Sequence, residues 1–222
     1  MNDKLNFAAI FDMDGVIIDS NPYHLISWRD YLQSFGIHAS DQDLRDHMFG
    51  KSNSYILKHF FQKDFDAATK HQMQFDKEKW FRDIFEEKAV ALAGFELFLE
   101  ELLANGVKTG IGTSAPVENL AMTLRRIPIT QQIHSKMSEE DVQQHKPNPE
   151  VYLTTAQRLG IPPERCIVFE DSFSGVTAGL NAGMKVVGVL TTYSPAELPP
   201  CHFYIKDFSE INLDICLKLL EN

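Results

Sequence analysis

The stretch AAIFDMDGVIIDSNPYH, residues 8 to 24, places two aspartates directly after an apolar run. Phe7 to Phe11 read as a short buried strand, because a continuous apolar run of this length is typical of a strand covered on both faces. Asp12 and Asp14 follow it, and Gly15 lets the chain turn sharply. The sequence therefore predicts an acidic pair at the carboxyl end of the first strand.

Further apolar runs alternate with helical patterns along the rest of the chain. Amphipathic helical periodicity covers residues 94 to 106 and 147 to 160. This alternation predicts an α/β fold, a Rossmann-like, doubly wound parallel sheet with helices on both faces. The remaining predicted strands are Val107 to Gly112, Cys166 to Phe169, Val186 to Leu190 and His202 to Ile205.

Residues 21–92 interrupt the alternation, because they carry only helical periodicity and are rich in aromatic side chains. We interpret this segment as an inserted α-helical domain whose aromatic residues form its core. The predicted organisation is a catalytic core of residues 1–20 and 93–222 and a helical domain of residues 21–92.

Composition limits the classes of partner. The 222 residues carry a formal net charge of -10, so no basic stripe is available for a phosphate backbone and we expect no nucleic-acid partner. No stretch of the sequence is apolar enough to suggest a membrane segment, and the start does not resemble a secretory signal. Three widely spaced cysteines, Cys166, Cys201 and Cys216, fit a reducing compartment, and Cys166 reads as a core residue. We expect a cytoplasmic monomer.

Four polar clusters follow predicted strands or lie in the loops after them. They are Asp12 with Asp14, Thr113 with Ser114, Lys146, and Glu170 with Asp171. Ligands of open parallel sheets gather at the carboxyl ends of the strands. Converging carboxylates repel one another unless a cation neutralises them, and oxygen ligands of this kind suit Mg²⁺. A lysine and a threonine beside such a metal supply the charge and the hydroxyl that hold a phosphoryl group.

Four segments occur in order as DMDGVIIDS, GTS, KPNPE and FEDSFSGVTAGLNAGM. With them the chain resembles the haloacid dehalogenase superfamily of phosphotransferases, in the branch that includes beta-phosphoglucomutase and small-metabolite phosphatases. The resemblance spans nearly the whole predicted core. It implies that the inserted helical segment is a mobile cap over the active site. The presence of Asp14 argues against dehalogenase chemistry, since that branch does not carry the second aspartate.

The resemblance also implies roles for the motif residues. Asp12 would be the nucleophile that forms an aspartyl-phosphate, and Asp14 the general acid and base. Thr113, with its neighbour Ser114, would bind phosphoryl oxygens, and Lys146 would balance charge. The predicted Mg²⁺ ligands are Asp12, Asp14, Glu170 and Asp171, and which of the last two binds the metal directly is left open.

Residues of the inserted segment and of the loop after the second motif decide between a phosphatase and a mutase. FGKSNSY, residues 49–55, occupies the place of the cap loop, which gives Lys51 and Ser52 as candidate substrate-binding residues. A mutase arginine aligns with Asn53, and a mutase lysine and asparagine align with Pro116 and Val117. These departures favour hydrolysis of a small phosphorylated metabolite. Beta-phosphoglucomutase activity is the alternative, because Lys51 could replace the missing arginine.

Two further alternatives concern a single residue and the class of protein. His24 matches a histidine of the mutase branch, but a histidine on the first helix of the inserted segment equally fits packing. A phosphoacceptor module resembling response-regulator receivers also uses acidic residues, Mg²⁺, a hydroxyl residue and a lysine. Such modules need only about 120 residues, and their phosphorylated aspartate follows the third strand, so the spacing here disfavours that interpretation.

Overall fold

The structure, a computed structural model, describes residues 5–49 and 51–221 of the chain. The chain divides into two compact units. The helical unit is Ser20–Ala89, and the α/β unit comprises the residues before and after it.

The helical unit ends three residues earlier than the predicted limit at residue 92. Ala91 forms an antiparallel bridge with Ile18, and the backbone N–H of Leu92 donates to the carbonyl of Ile17 at 2.8 Å. These backbone bonds attach residues 90–92 to the α/β unit. They also bring together the two chain segments that flank the helical unit.

Four helices make up the helical unit, and its described residues contain no strand. The helices are α1 (Asn21–Ser34), α2 (Asp41–Met48), α3 (Asn53–Phe61) and α4 (Ala67–Phe85). Side-chain caps start three of them, because Ser40, Ser52 and Asp66 each accept a backbone N–H from the first turn. The apolar faces close over a core of Trp28, Tyr31, Leu32, Leu44, Met48, Ile56, Leu57 and Met73.

The α/β unit is built on a parallel sheet in the order β3-β2-β1-β4-β5-β6. Its strands are β1 (Ala8–Phe11), β2 (Lys108–Gly112), β3 (Ser135–Met137), β4 (Cys166–Glu170), β5 (Lys185–Val189) and β6 (Phe203–Ile205). The predicted α/β fold class is confirmed. The strand order reverses on either side of β1, which is where ligands bind in open α/β sheets.

Register aligns the ends of the three central strands. Phe11 lies opposite Ile111 of β2 on one side and Phe169 of β4 on the other. The next residues along β1 and β4, Asp12 and Glu170, therefore emerge at the same edge of the sheet.

Helices α5 (Phe95–Ala104), α6 (Val117–Arg126), α7 (Glu150–Leu159), α8 (Phe173–Asn181) and α9 (Leu213–Glu221) also belong to the α/β unit. An aromatic cluster lies under the centre of the sheet, where the rings of Phe11 and Phe169 stack at 4.9 Å. Phe95, Phe98 and Phe208 pack edge-on against Phe11. Phe98 also stacks on Phe208. Among the described residues, no helix is both long and apolar enough to cross a membrane.

Candidate active site

Asp12 lies directly after β1, with a side chain that is almost entirely buried. Its backbone N–H donates to the carbonyl of Phe169 at 3.0 Å, which continues the β1–β4 pairing by one residue. The chain then turns at Gly15, whose φ of +74° is readily adopted only by glycine. The turn is closed by a bridge between Asp14 and Ile18. Asp14 is half-buried there.

Lys146 connects the first and the fourth motif. Its Nζ donates to Oδ1 of Asp12 and to Oε1 of Glu170, both at 2.7 Å. Only 6% of the Lys146 side chain is exposed, and its ammonium lies 4.8 Å from the centre of the Tyr152 ring. A buried ammonium is thus shared between two buried carboxylates.

Glu170 is fully buried and accepts hydrogen bonds at both oxygens. Oε1 accepts from the Tyr152 hydroxyl at 2.7 Å in addition to Lys146. Oε2 accepts from the backbone N–H of Asp171, from the backbone N–H of Ser172 and from the Ser172 hydroxyl, each at 3.0 Å. These donors fix the carboxylate against the first turn of α8.

Gly175 of α8 leaves the space that the Glu170 carboxylate fills. A Cβ atom at this position would lie 1.7 Å from Oε1 and 1.9 Å from Cδ of Glu170. The first turn of α8 is capped by the Ser172 hydroxyl, which accepts from the N–H of Gly175 at 3.1 Å. The fourth motif therefore needs its glycine to make room for its own glutamate.

Two threonines after β5 also contact this region, and sequence reasoning did not identify them. The hydroxyl of Thr192 donates to Oδ2 of Asp171. The hydroxyl of Thr191 donates to the carbonyl of Gly15 at 2.6 Å. The sequence pattern that could have identified them is a pair of hydroxyl residues directly after a predicted strand, at the same edge of the sheet as the acidic residues.

Charge and burial at this edge favour a cation. Asp12, Glu170 and Asp171 each offer a carboxylate oxygen, and these atoms all lie within 4.8 Å of one another. Burial raises the pKa of Asp12 to about 7, and Lys146 opposes the rise while Glu170 adds to it. Burial acts to lower the pKa of Lys146, but the two carboxylates raise it above its ordinary value. Among the described residues, the Lys146 ammonium contacts two of these three carboxylates, and an oxygen-ligated divalent cation fits this donor set. Asp14, also predicted as a ligand, is not among the three residues of this group.

Thr113 and Ser114 follow β2 at the same edge. Thr113 is buried, its N–H donates to the carbonyl of Met137, and its hydroxyl accepts from the N–H of Ala115 at 3.0 Å. Ser114 is exposed in the turn. The hydroxyl of Thr113 is therefore oriented by the backbone of the loop that follows it.

Within the helical unit, His24 is held by packing and by a buried lysine. Its ring stacks on Phe81 with 3.7 Å between centroids, and its Nδ1 lies 2.9 Å from Nζ of Lys77. Lys77 and Glu78 are both buried and form an ion pair at 2.9 Å. These contacts agree with the packing interpretation of His24.

The predicted loop of residues 49–55 is shorter than expected, because α3 begins at Asn53. Ser52 is the N-cap of that helix, and its hydroxyl accepts from the N–H of Tyr55. Lys51 is exposed, with Nζ 5.6 Å from the centre of the Tyr55 ring. Asn53 donates to Oε1 of Glu78 at 2.9 Å. Gly50 lies outside the described residues.

Comparisons with known proteins agree with the motifs. A family model for haloacid dehalogenase-like hydrolases matches residues 9–189. A phosphorylated carbohydrates phosphatase from Thermotoga maritima is 31% identical over 82% of this chain and 85% of its own length. A beta-phosphoglucomutase from Bacillus subtilis is 28% identical, with 82% of each chain covered. Among solved structures, a haloacid dehalogenase family IA hydrolase from Entamoeba histolytica superposes with a TM-score of 0.89 at 23% identity, covering 97% of this chain and all of that one. The chain belongs to the haloacid dehalogenase-like hydrolase family and is an enzyme of its phosphatase and phosphotransferase branch.

Proposed function

We propose that this enzyme is a Mg²⁺-dependent phosphatase that hydrolyses a small phosphorylated metabolite through an aspartyl-phosphate on Asp12. The observation that carries the proposal is the buried cluster in which Lys146 joins Asp12 to Glu170, with Asp171 beside them. Carboxylate oxygens grouped in this way suit a divalent cation, and buried carboxylates that lose a charged partner cost stability.

In the first step, a carboxylate oxygen of Asp12 attacks the phosphorus of the monoester. The bond between phosphorus and the ester oxygen breaks, and the departing alcohol takes a proton from Asp14. Thr113 binds a phosphoryl oxygen beside β2, and Lys146 compensates part of the negative charge. The products of this step are the free alcohol and the aspartyl-phosphate.

In the second step, water attacks the phosphorus of the aspartyl-phosphate. Asp14, now ionised, takes a proton from that water, and the bond between phosphorus and the Asp12 oxygen breaks. Inorganic phosphate leaves and both aspartates return to their starting states. The sum of the two steps is hydrolysis of one ester bond by one water molecule.

Asp12 and Asp171 are the residues that would hold Mg²⁺ directly. Glu170 is already occupied at both oxygens by Lys146, Tyr152 and the start of α8, which suits a residue that orients the cluster. When bound, Mg²⁺ supplies positive charge that screens the repulsion between the Asp12 carboxylate and the phosphate. It would also favour the ionised form of Asp12, whose pKa burial raises to about 7.

Water is the proposed acceptor because Asn53 and Val117, which align with a mutase arginine and a mutase asparagine, make other contacts here. Asn53 donates to the buried carboxylate of Glu78. Val117 follows the second motif, and its N–H donates to the carboxylate of Glu140 at 3.1 Å, which places a negative charge beside that loop. A mutase must grip the second phosphate of a bisphosphate, and a carboxylate at this point repels it.

The relatives suggest where a substrate search should begin. One relative is named a phosphorylated carbohydrates phosphatase and another a beta-phosphoglucomutase. We therefore propose a phosphorylated sugar as the substrate, and we propose that the inserted helical unit acts as the cap. Cytoplasmic location and a monomeric state stay predictions.

The test is a panel of sugar monophosphates with Mg²⁺, in which phosphate release is measured. Asp12→Asn should abolish turnover and keep the fold, since it removes the nucleophile but retains its shape. Asp214→Asn, the same change on the exposed side of α9, is the matched control and should retain full activity. Wild-type rates in purified Asp12→Asn would overturn the proposed nucleophile.

Two further assays address the acceptor and the metal. Conversion of beta-glucose 1-phosphate to glucose 6-phosphate, with a trace of the bisphosphate, is compared with phosphate release from the same substrate. Efficient isomerisation without phosphate release would establish the mutase alternative. Replacing Mg²⁺ by Ca²⁺ should inhibit, because Ca²⁺ takes more ligands at longer distances. Full activity in excess chelator would exclude the metal.

A further inference from the structure

The loop that follows β5 carries two adjacent hydroxyl groups, those of Thr191 and Thr192, and both contact the acidic segments after β1 and β4. β5 pairs with β4 in a register that sets Gly188 opposite Glu170. The chain after β5 therefore leaves the sheet beside the start of the fourth motif. This places Thr191 and Thr192 beside the acidic residues although they lie outside all four motifs.

Thr192 acts on the carboxylate of Asp171. Its hydroxyl donates to Oδ2 of a side chain that is itself buried. A hydrogen bond from a hydroxyl to an ionised carboxylate is short and strong, and it fixes the plane of the carboxylate. Partners of this kind orient the ligands of metal sites, and losing one typically costs about 10- to 100-fold in metal affinity.

Thr191 acts on the other acidic segment, the turn that follows β1. Its hydroxyl donates at 2.6 Å to the carbonyl of Gly15, in the turn that follows Asp12 and Asp14. One loop thus holds both the turn after β1 and the carboxylate after β4. Adjacent residues cannot move independently, so the two acidic segments are kept in a fixed relation.

We propose that Thr192 is a positioning residue of the metal site, which holds Asp171 in the orientation that binds the cation, and that Thr191 anchors the loop for this task. This inference rests on the proposed function, since it takes the carboxylate cluster as the Mg²⁺ site. Thr192 does not touch the reacting atoms. Its removal should weaken metal binding more than it slows the chemistry at saturating metal.

The direct test is a titration of the full-length protein with Mn²⁺, in which binding is measured as the loss of the EPR signal of the free ion. Thr192→Val removes the hydroxyl and keeps the shape, and we expect its dissociation constant for Mn²⁺ to rise about 10- to 100-fold. Thr192→Ser restores the hydroxyl and should bind nearly as the wild type does. Thr192→Ala serves as a second removal variant if the valine variant does not fold.

The control is Thr177→Val, because the Thr177 hydroxyl donates within its own helix, to the carbonyl of Phe173 at 2.7 Å. Its Mn²⁺ affinity should equal that of the wild type. In parallel, hydrolysis of p-nitrophenyl phosphate is measured against Mg²⁺ concentration. For Thr192→Val, the Mg²⁺ concentration at half-maximal rate should rise far more than kcat falls.

The outcomes separate this inference from the proposed function. Equal Mn²⁺ affinity in Thr192→Val and the wild type overturns the positioning role, as does a serine variant that is as impaired as the valine variant. A wild type that does not bind Mn²⁺ overturns it too. A wild type that binds Mn²⁺ more tightly than Thr192→Val does, but releases no phosphate from any monoester, overturns the phosphatase and supports the positioning role.

Discussion

Replacing Gly175 by alanine should disrupt the acidic cluster, although Gly175 is not one of the predicted site residues. The added Cβ would lie 1.7 Å from Oε1 of Glu170, and real contacts of a Cβ atom essentially never fall below 3.0 Å. The carboxylate must therefore retreat by about 1.3 Å, the difference between these two distances. It is fully buried, and its hydrogen bonds of 2.7 to 3.0 Å cannot all survive such a shift.

The expected loss of stability follows from those bonds. A hydrogen bond to a charged group is worth about 1.5 to 3 kcal/mol, so losing two costs about 3 to 6 kcal/mol. Alanine has the better helix propensity and returns about 1 kcal/mol. We expect a net loss of about 2 to 5 kcal/mol in the free energy of unfolding, a large part of the usual 5 to 15 kcal/mol. A displacement of about 1 Å at the site should also lower kcat about 100-fold.

Urea denaturation and phosphate release measure the two effects. The matched control is Gly179→Ala on the same helix, where the new Cβ meets the apolar side chain of Val186 at 2.9 Å and no carboxylate. It should lose about 1 to 3 kcal/mol of stability and keep its kcat. In a Glu170→Ala background, Gly175→Ala should cost little more, because the clashing group is gone. Additive losses in that double variant, or full activity in Gly175→Ala alone, would refute the reasoning.

Three further predictions test other contacts. Tyr152→Phe removes one donor to the Glu170 carboxylate and should lower kcat with little change in the substrate KM; unchanged kinetics and an unchanged urea midpoint would contradict it. Lys77→Met leaves the buried Glu78 carboxylate without its ammonium and should cost about 3 to 5 kcal/mol, whereas the double change Lys77→Met with Glu78→Gln should cost less in the same urea assay. His134 and His202 each accept a backbone N–H at Nδ1, and burial lowers the pKa of both side chains. Their contribution to stability is therefore present above the unfolded pKa of about 6.5. It is lost as the pH falls through the lower pKa of the folded state. Replacing both by glutamine should flatten this decline in urea midpoints measured between about pH 7.5 and pH 5, and an unchanged slope would count against it.

The fold could be predicted to the level of its strands because buried parallel strands leave apolar runs in the sequence. Five of the six strands correspond to such runs. The strand Ser135–Met137 was missed, since three residues at the edge of a sheet carry no pattern of their own. The predicted helical domain extends to residue 92 and the compact helical unit to Ala89, and the bridge between Ile18 and Ala91 depends on tertiary pairing and not on composition.

The candidate site could be predicted where residue type and strand position act together. Asp12, Lys146 and Glu170 were each expected after a strand or in a following loop, and the structure brings their side chains into contact. Tyr152 and Thr192 were not expected. Tyr152 reads as an apolar residue of an amphipathic helix, and only packing reveals that its hydroxyl reaches Glu170. Such contacts depend on distances between elements, which a single sequence does not encode locally.

The bridge between Ile18 and Ala91 has a consequence for protein engineering. Antiparallel bridge partners hold their Cα atoms about 4.5 to 5.5 Å apart, so the segments that lead into and out of the helical unit lie side by side. Both contacts lie within the α/β unit and are made by its backbone: the bridge at Ala91 and the hydrogen bond from the N–H of Leu92 to the carbonyl of Ile17. We therefore expect that a different insert, or a tight turn, can replace residues 20–89 without changing the sheet. The helical unit is in this sense a replaceable insert, and the carboxylate cluster belongs to the α/β unit.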